Sequence, residues 1–558
     1  MNRQSLRSRC FFALAAVGAA ALLATPLKAQ KHDDFDDHFR FVPHTLVMAR
    51  SVYVGDASTV TVGETLPIGC VNGNVNVPLI AGGSVSIAVA CGVATADGTF
   101  PGVFNNANSD GSFGVTSPIY LDNFTTDGHV LGSSRIPDHQ IVTSFSSKSE
   151  LSLHRSVDGK SLTFMGYRGG PGYPTGPNLL DVSASNTPGV IDPTNPSVGQ
   201  YYRAVAEVDA WGDLMITEGN AYSGDNGRAA IKGGNGIYYM AGNDNSGNLS
   251  KSQLATTFVG VNLVDSTGAE LLIPGQTAPL PPNITMVGQF GITQVGYTKA
   301  DKAGKDTNYR GITIFDNTLY VTKGSGGNGI NTVYQVGSAG TLPTGDSATL
   351  LKTPTTILPG FPTVLASGQA LNGSMNNPVS YPFGIWFANA STLYVCDEGD
   401  GTLVTPPVNG NVATPYSQAT AGVQKWILVN GAWQLAYILN SGLNIGVQYG
   451  VPNYPDAIEP ATGGCRHITG EVHRDGTVSL YATTSTISAS GDQGADPNKL
   501  VTVTDVLSAG SLPLSGCDRD GAPLGRFRTL RTARSGEVFR GLDWAPSDHG
   551  WDDDRDED

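Results

Sequence analysis

Four arginines recur at one place in a repeated segment: Arg228 in GRAAIK, Arg310 in YRGITIF, Arg466 in CRHITG and Arg540 in FRGLDWAP. Each stands early in a short, mostly apolar run. Guanidinium groups that face a common space can hold a carboxylate or phosphate by charge-assisted, bidentate hydrogen bonds, which makes these four the expected ligand-binding residues for a small anionic ligand. The architectural reading is equally chemical. Each arginine can instead pair with an acid of a neighbouring repeat, such as Glu218, Asp397, Glu398 or Asp400, and lock one repeat to the next.

Carboxylates supply the second set. Asp397, Glu398 and Asp400 fall in the run DEGD, and Asp209, Asp225-Asn226 and Asn243-Asp244-Asn245 sit at similarly turn-rich places. Carboxylate and amide oxygens gathered near one opening can hold Ca²⁺, which takes six to eight oxygens. A hard cation there polarises a carbonyl and activates water. Asp397, Glu398 and Asp400 are therefore the candidate metal ligands and Ca²⁺ the candidate cofactor, the cofactor being otherwise open; none of these runs has EF-hand spacing, and turns favour Asp and Asn for backbone reasons alone. In CRHITGEVH, His467, Glu471 and His473 share one face of a strand, a pattern for metal or acid–base work. No nucleophile elbow or Walker A loop occurs, and KGSGGNG at 323–329 lacks a following helix.

The elements that must position these residues repeat. Residues 309–324 (YRGITIFDNTLYVTKG), 382–399 (PFGIWFANASTLYVCDEG) and 465–483 (CRHITGEVHRDGTVSLYAT) each read as strand, turn, strand. Weaker copies occupy 151–166 and 227–242. Successive copies begin roughly 70 to 85 residues apart, longer than a WD40 blade of about 40 to 45. A second hairpin follows each copy, most plainly at 424–439, where Asn430-Gly431 is a two-residue turn signal. Two hairpins make a four-stranded antiparallel sheet, the unit of a propeller blade.

The two ends look complementary. VFRGLDWAP at 538–546 resembles the first strand of the repeat and lacks a partner, while HTLVMARSVYVG at 44–55 resembles the second strand. Residues 119–136 would supply two outer strands. The expected fold is thus all-β, a single β-propeller of six blades closed by pairing of the N- and C-terminal strands, an arrangement that leaves no open edge. Seven blades stay open because 284–297 can hide strands, and a pair of β-sandwiches is the competing architecture. This repeat layout resembles the secreted NHL/YVTN-type and lactonase-like β-propellers of bacteria over nearly all of the chain. The lactonase-like resemblance implies a metal-assisted reaction at a channel mouth.

Arg3, Arg7 and Arg9 precede the apolar stretch 11–24 and the small residue Ala29, the pattern of a secretory signal over 1–29. An acidic tail (30–43), the propeller (44–546) and a second acidic tail (547–558) follow. No later stretch nears the roughly 18 apolar residues of a spanning helix. The chain is expected outside the cytoplasm, secreted or periplasmic, without membrane insertion and monomeric. A net charge of −15 disfavours nucleic acid. The acidic tails, Asp33 to Asp37 and Asp552 to Asp558, read as solvated ends or a weak Ca²⁺ site. Cysteine spacing predicts a Cys70–Cys91 bridge stapling a Gly/Asn/Val-rich insertion. A second bridge, Cys396–Cys465, would join neighbouring repeats, with Cys517 free and Cys465–Cys517 as the rival pairing. The expected role is binding or scaffolding of a protein or a small anionic ligand through one face of the disc. A metal-dependent lactonase- or esterase-like hydrolase is the alternative. A quinone-dependent dehydrogenase fits less well, because tryptophan does not recur once per repeat.

Overall fold

The computed structural model describes residues 39–549 except 67–71, 79–83, 90, 107–113, 189–198, 244–260, 266–287, 290–307, 325–328, 351–352, 367–379, 400–419 and 491–493. The signal segment 1–29, Cys70, Asp244, Asn245, Asp400, most of 284–297 and the acidic runs 33–37 and 552–558 lie outside the described residues.

Strands dominate because β-branched and aromatic residues alternate between turn residues that accept positive φ. Asp316 and Asn317 (φ 46° and 52°) turn the chain between Ile312–Phe315 and Thr318–Lys323. Asn430 and Gly431 (φ 51° and 80°) do so between Gly422–Val429 and Ala432–Leu439. Both are the φ-positive pairs that match the strand twist of a tight hairpin.

Among the described residues the strands form six four-stranded antiparallel sheets. Sheet 1 is ordered Glu537–Trp544, Leu46–Val52, Ile119–Phe124, Val130–Arg135. Its two chain ends pair in register, with Leu46 opposite Trp544 and Val52 opposite Glu537. Sheet 2 holds His154–Arg155, Ser161–Gly169, Tyr201–Asp209 and Leu214–Thr217. Sheet 3 holds Gly227–Lys232, Ile237–Gly242, Val261–Asp265 and Gly288–Gln289. Sheet 4 adds Thr332–Val336 and Thr355–Ile357 to the first hairpin named above. Sheet 5 runs Pro382–Asn389, Thr392–Asp397, Gly422–Val429, Ala432–Leu439. Sheet 6 runs Ala461–Val472, Thr477–Ile487, Lys499–Val506, Arg528–Thr532. The first strand of each sheet touches the first strand of the next, and that of sheet 1 touches those of sheets 2 and 6. The fold is an all-β propeller arrangement.

Apolar side chains are buried between facing sheets. Val47, Leu121, Leu162 and Phe164 pack between sheets 1 and 2, and Val423, Leu439, Leu480 and Val503 between sheets 5 and 6. Buried ions reinforce the same seams. Lys425 Nζ lies 3.0 Å from Asp505 Oδ2 with both side chains fully buried, and Asp505 also accepts from the hydroxyls of Tyr394 (2.5 Å) and Tyr437 (2.6 Å). Lys232 meets Glu207 at 2.7 Å across sheets 2 and 3.

Cys396 and Cys465 form a disulfide between sheets 5 and 6, with Cα atoms 5.2 Å apart. Cys91 is disulfide-bonded too, and so is Cys517, which corrects the expectation of a free Cys517 and rules out its pairing with Cys465. The insertion after Leu46–Val52 carries two short strand pairs, Thr65–Leu66 with Gly92–Val93 and Gly73–Pro78 with Ser84–Val89. Its Phe100 and Phe104 cluster with Tyr53, Phe145 and Tyr454. Among the described residues no helix is long and apolar enough to cross a membrane.

Candidate functional site

The C-terminal ends of the six first strands surround a cavity of about 690 Å³. Its lining follows a rule that runs through the repeats. Counting from the arginine position of each first strand, the third residue onward faces the cavity: Thr313, Thr469, Asp543 and Ile231, and likewise Trp386 and His154 counted from Phe383 and Leu151. Phe315, Phe387 and Trp544 extend an aromatic wall, and Glu471 stands at the rim.

One residue after the arginine position the sequence is small: Gly311, Gly384, Gly541, Ala229 and Ser152, with His467 as the exception. The reason is close approach of neighbouring sheets. A Cβ on Gly311 would lie 2.0 Å from the Phe383 carbonyl oxygen, and one on Gly541 would lie 1.9 Å from the Leu153 nitrogen. Gly541 N–H donates to Leu151 O at 3.0 Å, and Ser152 N–H to Arg228 O at 3.2 Å. The His467 ring packs edge-on against Phe383.

Below the cavity Ser152 Oγ sits 2.9 Å from His154 Nε2 and 3.2 Å from His467 Nδ1. Burial pushes the His154 pKa down to about 4. His467 is driven well below the ordinary histidine value by burial first, then by His154, Arg466 and Arg540. Both rings are therefore neutral at pH 7. A single hydroxyl hydrogen serves both contacts, so one ring accepts from Ser152 and the other donates to it. Asp543 ties three sheets together at the cavity wall. It accepts from Arg155 N (2.7 Å), Thr469 Oγ1 (2.9 Å) and Trp544 N (2.8 Å), and burial raises its pKa.

The four arginines lie deeper, and none lines the cavity. All are buried, at 0 to 3 % exposure. Arg228 donates to the Asn308 side chain and to Tyr309 O (2.7 Å), at the entry to sheet 4. Arg310 donates to Ser149 Oγ, and Arg540 to Ser51 Oγ (3.3 Å) and Gly494 O (2.9 Å). Arg466 Nε meets Glu398 Oε2 at 3.1 Å, a contact from sheet 6 to sheet 5. Lys148 approaches the other oxygen of Glu398 at 3.3 Å. Burial opposes the Glu398 charge, yet Lys148, Arg466 and Arg310 hold its pKa below the ordinary value.

Asp397 is also held by the protein. It accepts from Tyr381 N, Gly399 N, Ser380 Oγ and Gln424 Nε2, each at 2.9 Å, while burial raises its pKa to about 6. Among the described residues no three His, Cys, Asp or Glu side chains are grouped to hold a metal ion. Glu471 and His473 come within 3.8 Å of each other, but His467 stands apart with Ser152.

Apart from Glu471, the sequence reading missed the cavity residues. Their signal was present, as the fixed offset from the arginine position. It was hidden because the six residues at that offset, Thr, Thr, Asp, Ile, Trp and His, share no chemistry.

No protein-family profile matches the chain, and no curated protein matches it in sequence. Among solved structures it is similar to one titled "NanB plus Optactamide", at 6 % identity and a TM-score of 0.22, over 68 % of this chain and 53 % of that one. The chain thus spans about half the length of that structure. The class its own strands define is the β-propeller module.

Proposed function

We propose that the chain is a six-bladed propeller, closed through its terminal strands, that works as a binding module and takes a small organic ligand in the cavity ringed by its first strands. The register of Leu46–Val52 on Glu537–Trp544 and the cyclic contacts of the six first strands support closure. The observation that carries the binding reading is the cavity itself. Its volume, about 690 Å³, falls in the range of small-molecule sites, and its wall joins four aromatic side chains to a comparable share of polar groups. A buried disulfide and the signal-like N-terminus support action outside the cytoplasm.

An anion held by the arginines has less behind it, since Arg228, Arg310, Arg466 and Arg540 all contact protein groups. The metal-dependent hydrolase has less as well, since Asp397 and Glu398 are occupied by protein donors and cations.

Ligand-observed NMR with a set of neutral, cationic and anionic aromatic fragments tests the binding reading. Fragments that bind the mature protein should lose contact when Trp386→Ala narrows the aromatic wall. Binding that is unchanged in Trp386→Ala, or absent for the whole set, would remove the cavity from the account.

A further inference from the structure

Resting on that reading, we infer that the cavity is built for an organic cation, a small substituted-ammonium compound. Three observations converge. The wall presents four aromatic side chains, Phe315, Trp386, Phe387 and Trp544, from three different sheets. Ring faces carry negative quadrupole potential and attract an ammonium group, tryptophan most strongly. Among the described lining residues the exposed carboxylate is that of Glu471. It is about half exposed (48 %), whereas Asp543 is buried and taken up by its three protein donors.

The third observation concerns the positive groups. Arg155 reaches the lining, but it is only 6 % exposed, its Nε donates to Gly159 O at 2.9 Å, and its charge is set against that of Asp543. His154 is neutral, because burial holds its pKa at about 4. His44 sits on the rim beside Thr126. The four buried arginines do not line the cavity and contact protein groups instead.

An anion entering this space would meet the like charge of Glu471. A cation meets attraction from both wall and rim. An uncharged ligand has the apolar contact alone. The size of the space suits a small molecule.

The test uses three molecules of one shape and different charge: choline, its uncharged carbon analogue 3,3-dimethylbutan-1-ol, and 3,3-dimethylbutanoate. Calorimetric titration into the full mature protein should rank choline tightest, by about threefold to tenfold over the alcohol, with the carboxylate weakest. Glu471→Gln should narrow the gap between choline and the alcohol and leave the alcohol unchanged. Trp386→Ala, and independently Phe315→Leu should the first fail to fold, should weaken choline. Equal binding of choline and the alcohol, with both lost in Trp386→Ala, would overturn the cation assignment and leave the binding cavity standing. Tightest binding by the carboxylate, or no binding by any of the three, would also overturn it. The fragment screen decides separately whether the cavity binds anything.

Discussion

Gly541→Ala should be far more damaging than its single methyl group suggests. The added Cβ would stand 1.9 Å from the Leu153 nitrogen, 2.6 Å from the Ser152 carbonyl carbon and 2.8 Å from the Leu151 carbonyl oxygen. All three are backbone atoms of the segment entering sheet 2, so no side chain can swing away. Sheets 1 and 2 would have to part by well over an ångström in a close-packed interior. Parting also breaks the Gly541 N–H to Leu151 O bond of 3.0 Å. Overpacking costs about 1–3 kcal/mol. Leaving a buried donor and acceptor without partners adds about 1–3 kcal/mol. A total of about 2–6 kcal/mol is expected. The corresponding position of sheet 3 is Ala229, so the tolerance of an alanine there depends on the local approach of the sheets rather than on the repeat. Gly510→Ala is the control, because nothing lies within 4 Å of its added Cβ. Urea unfolding of both variants, followed by tryptophan fluorescence, gives the comparison. Equal midpoints for Gly541→Ala and Gly510→Ala would refute the close-approach argument.

Removing Lys425 by substitution with Met should destabilise by about 3–5 kcal/mol, because Asp505 is left charged in a fully buried seam; the same urea assay checks it. Glu398 adds a pH dependence of known sign. Its folded pKa is held below the ordinary 4.5, so its ion pairs stabilise above that value and the contribution is lost as pH falls through the lowered one. Melting temperature followed downward from pH 6 should therefore fall less steeply in Glu398→Gln than in the parent protein. Replacing Cys396 and Cys465 together by Ser should lower stability by about 2–4 kcal/mol in the same urea assay.

Strand identity was legible because it is a local property. The alternation in YRGITIF and the turns at Asp316-Asn317 and Asn430-Gly431 are set by neighbouring residues and appear in the structure as expected. The bridge between Cys396 and Cys465 was legible for a related reason: their places in successive repeats imply adjacent strands. The arginines were conspicuous for their recurrence, yet their partners were open. Arg466 does meet Glu398, one of the acids suggested by sequence, whereas Arg540 is held by carbonyls at positions 145 and 494 that no spacing rule connects to it.

By itself the sequence determined the β-rich class, the repeat, the hairpin turns and the small residue that follows the arginine position. These depend on backbone preference and side-chain volume, which act over a few residues. Only the tertiary structure decided what those small residues are for, and which side chains meet. His154, Ser152 and His467 come together from opposite ends of the chain, and the aromatic wall combines residues from sheets 4, 5 and 1. These contacts arise only when six first strands converge on a shared space, which brings together residues far apart in the chain.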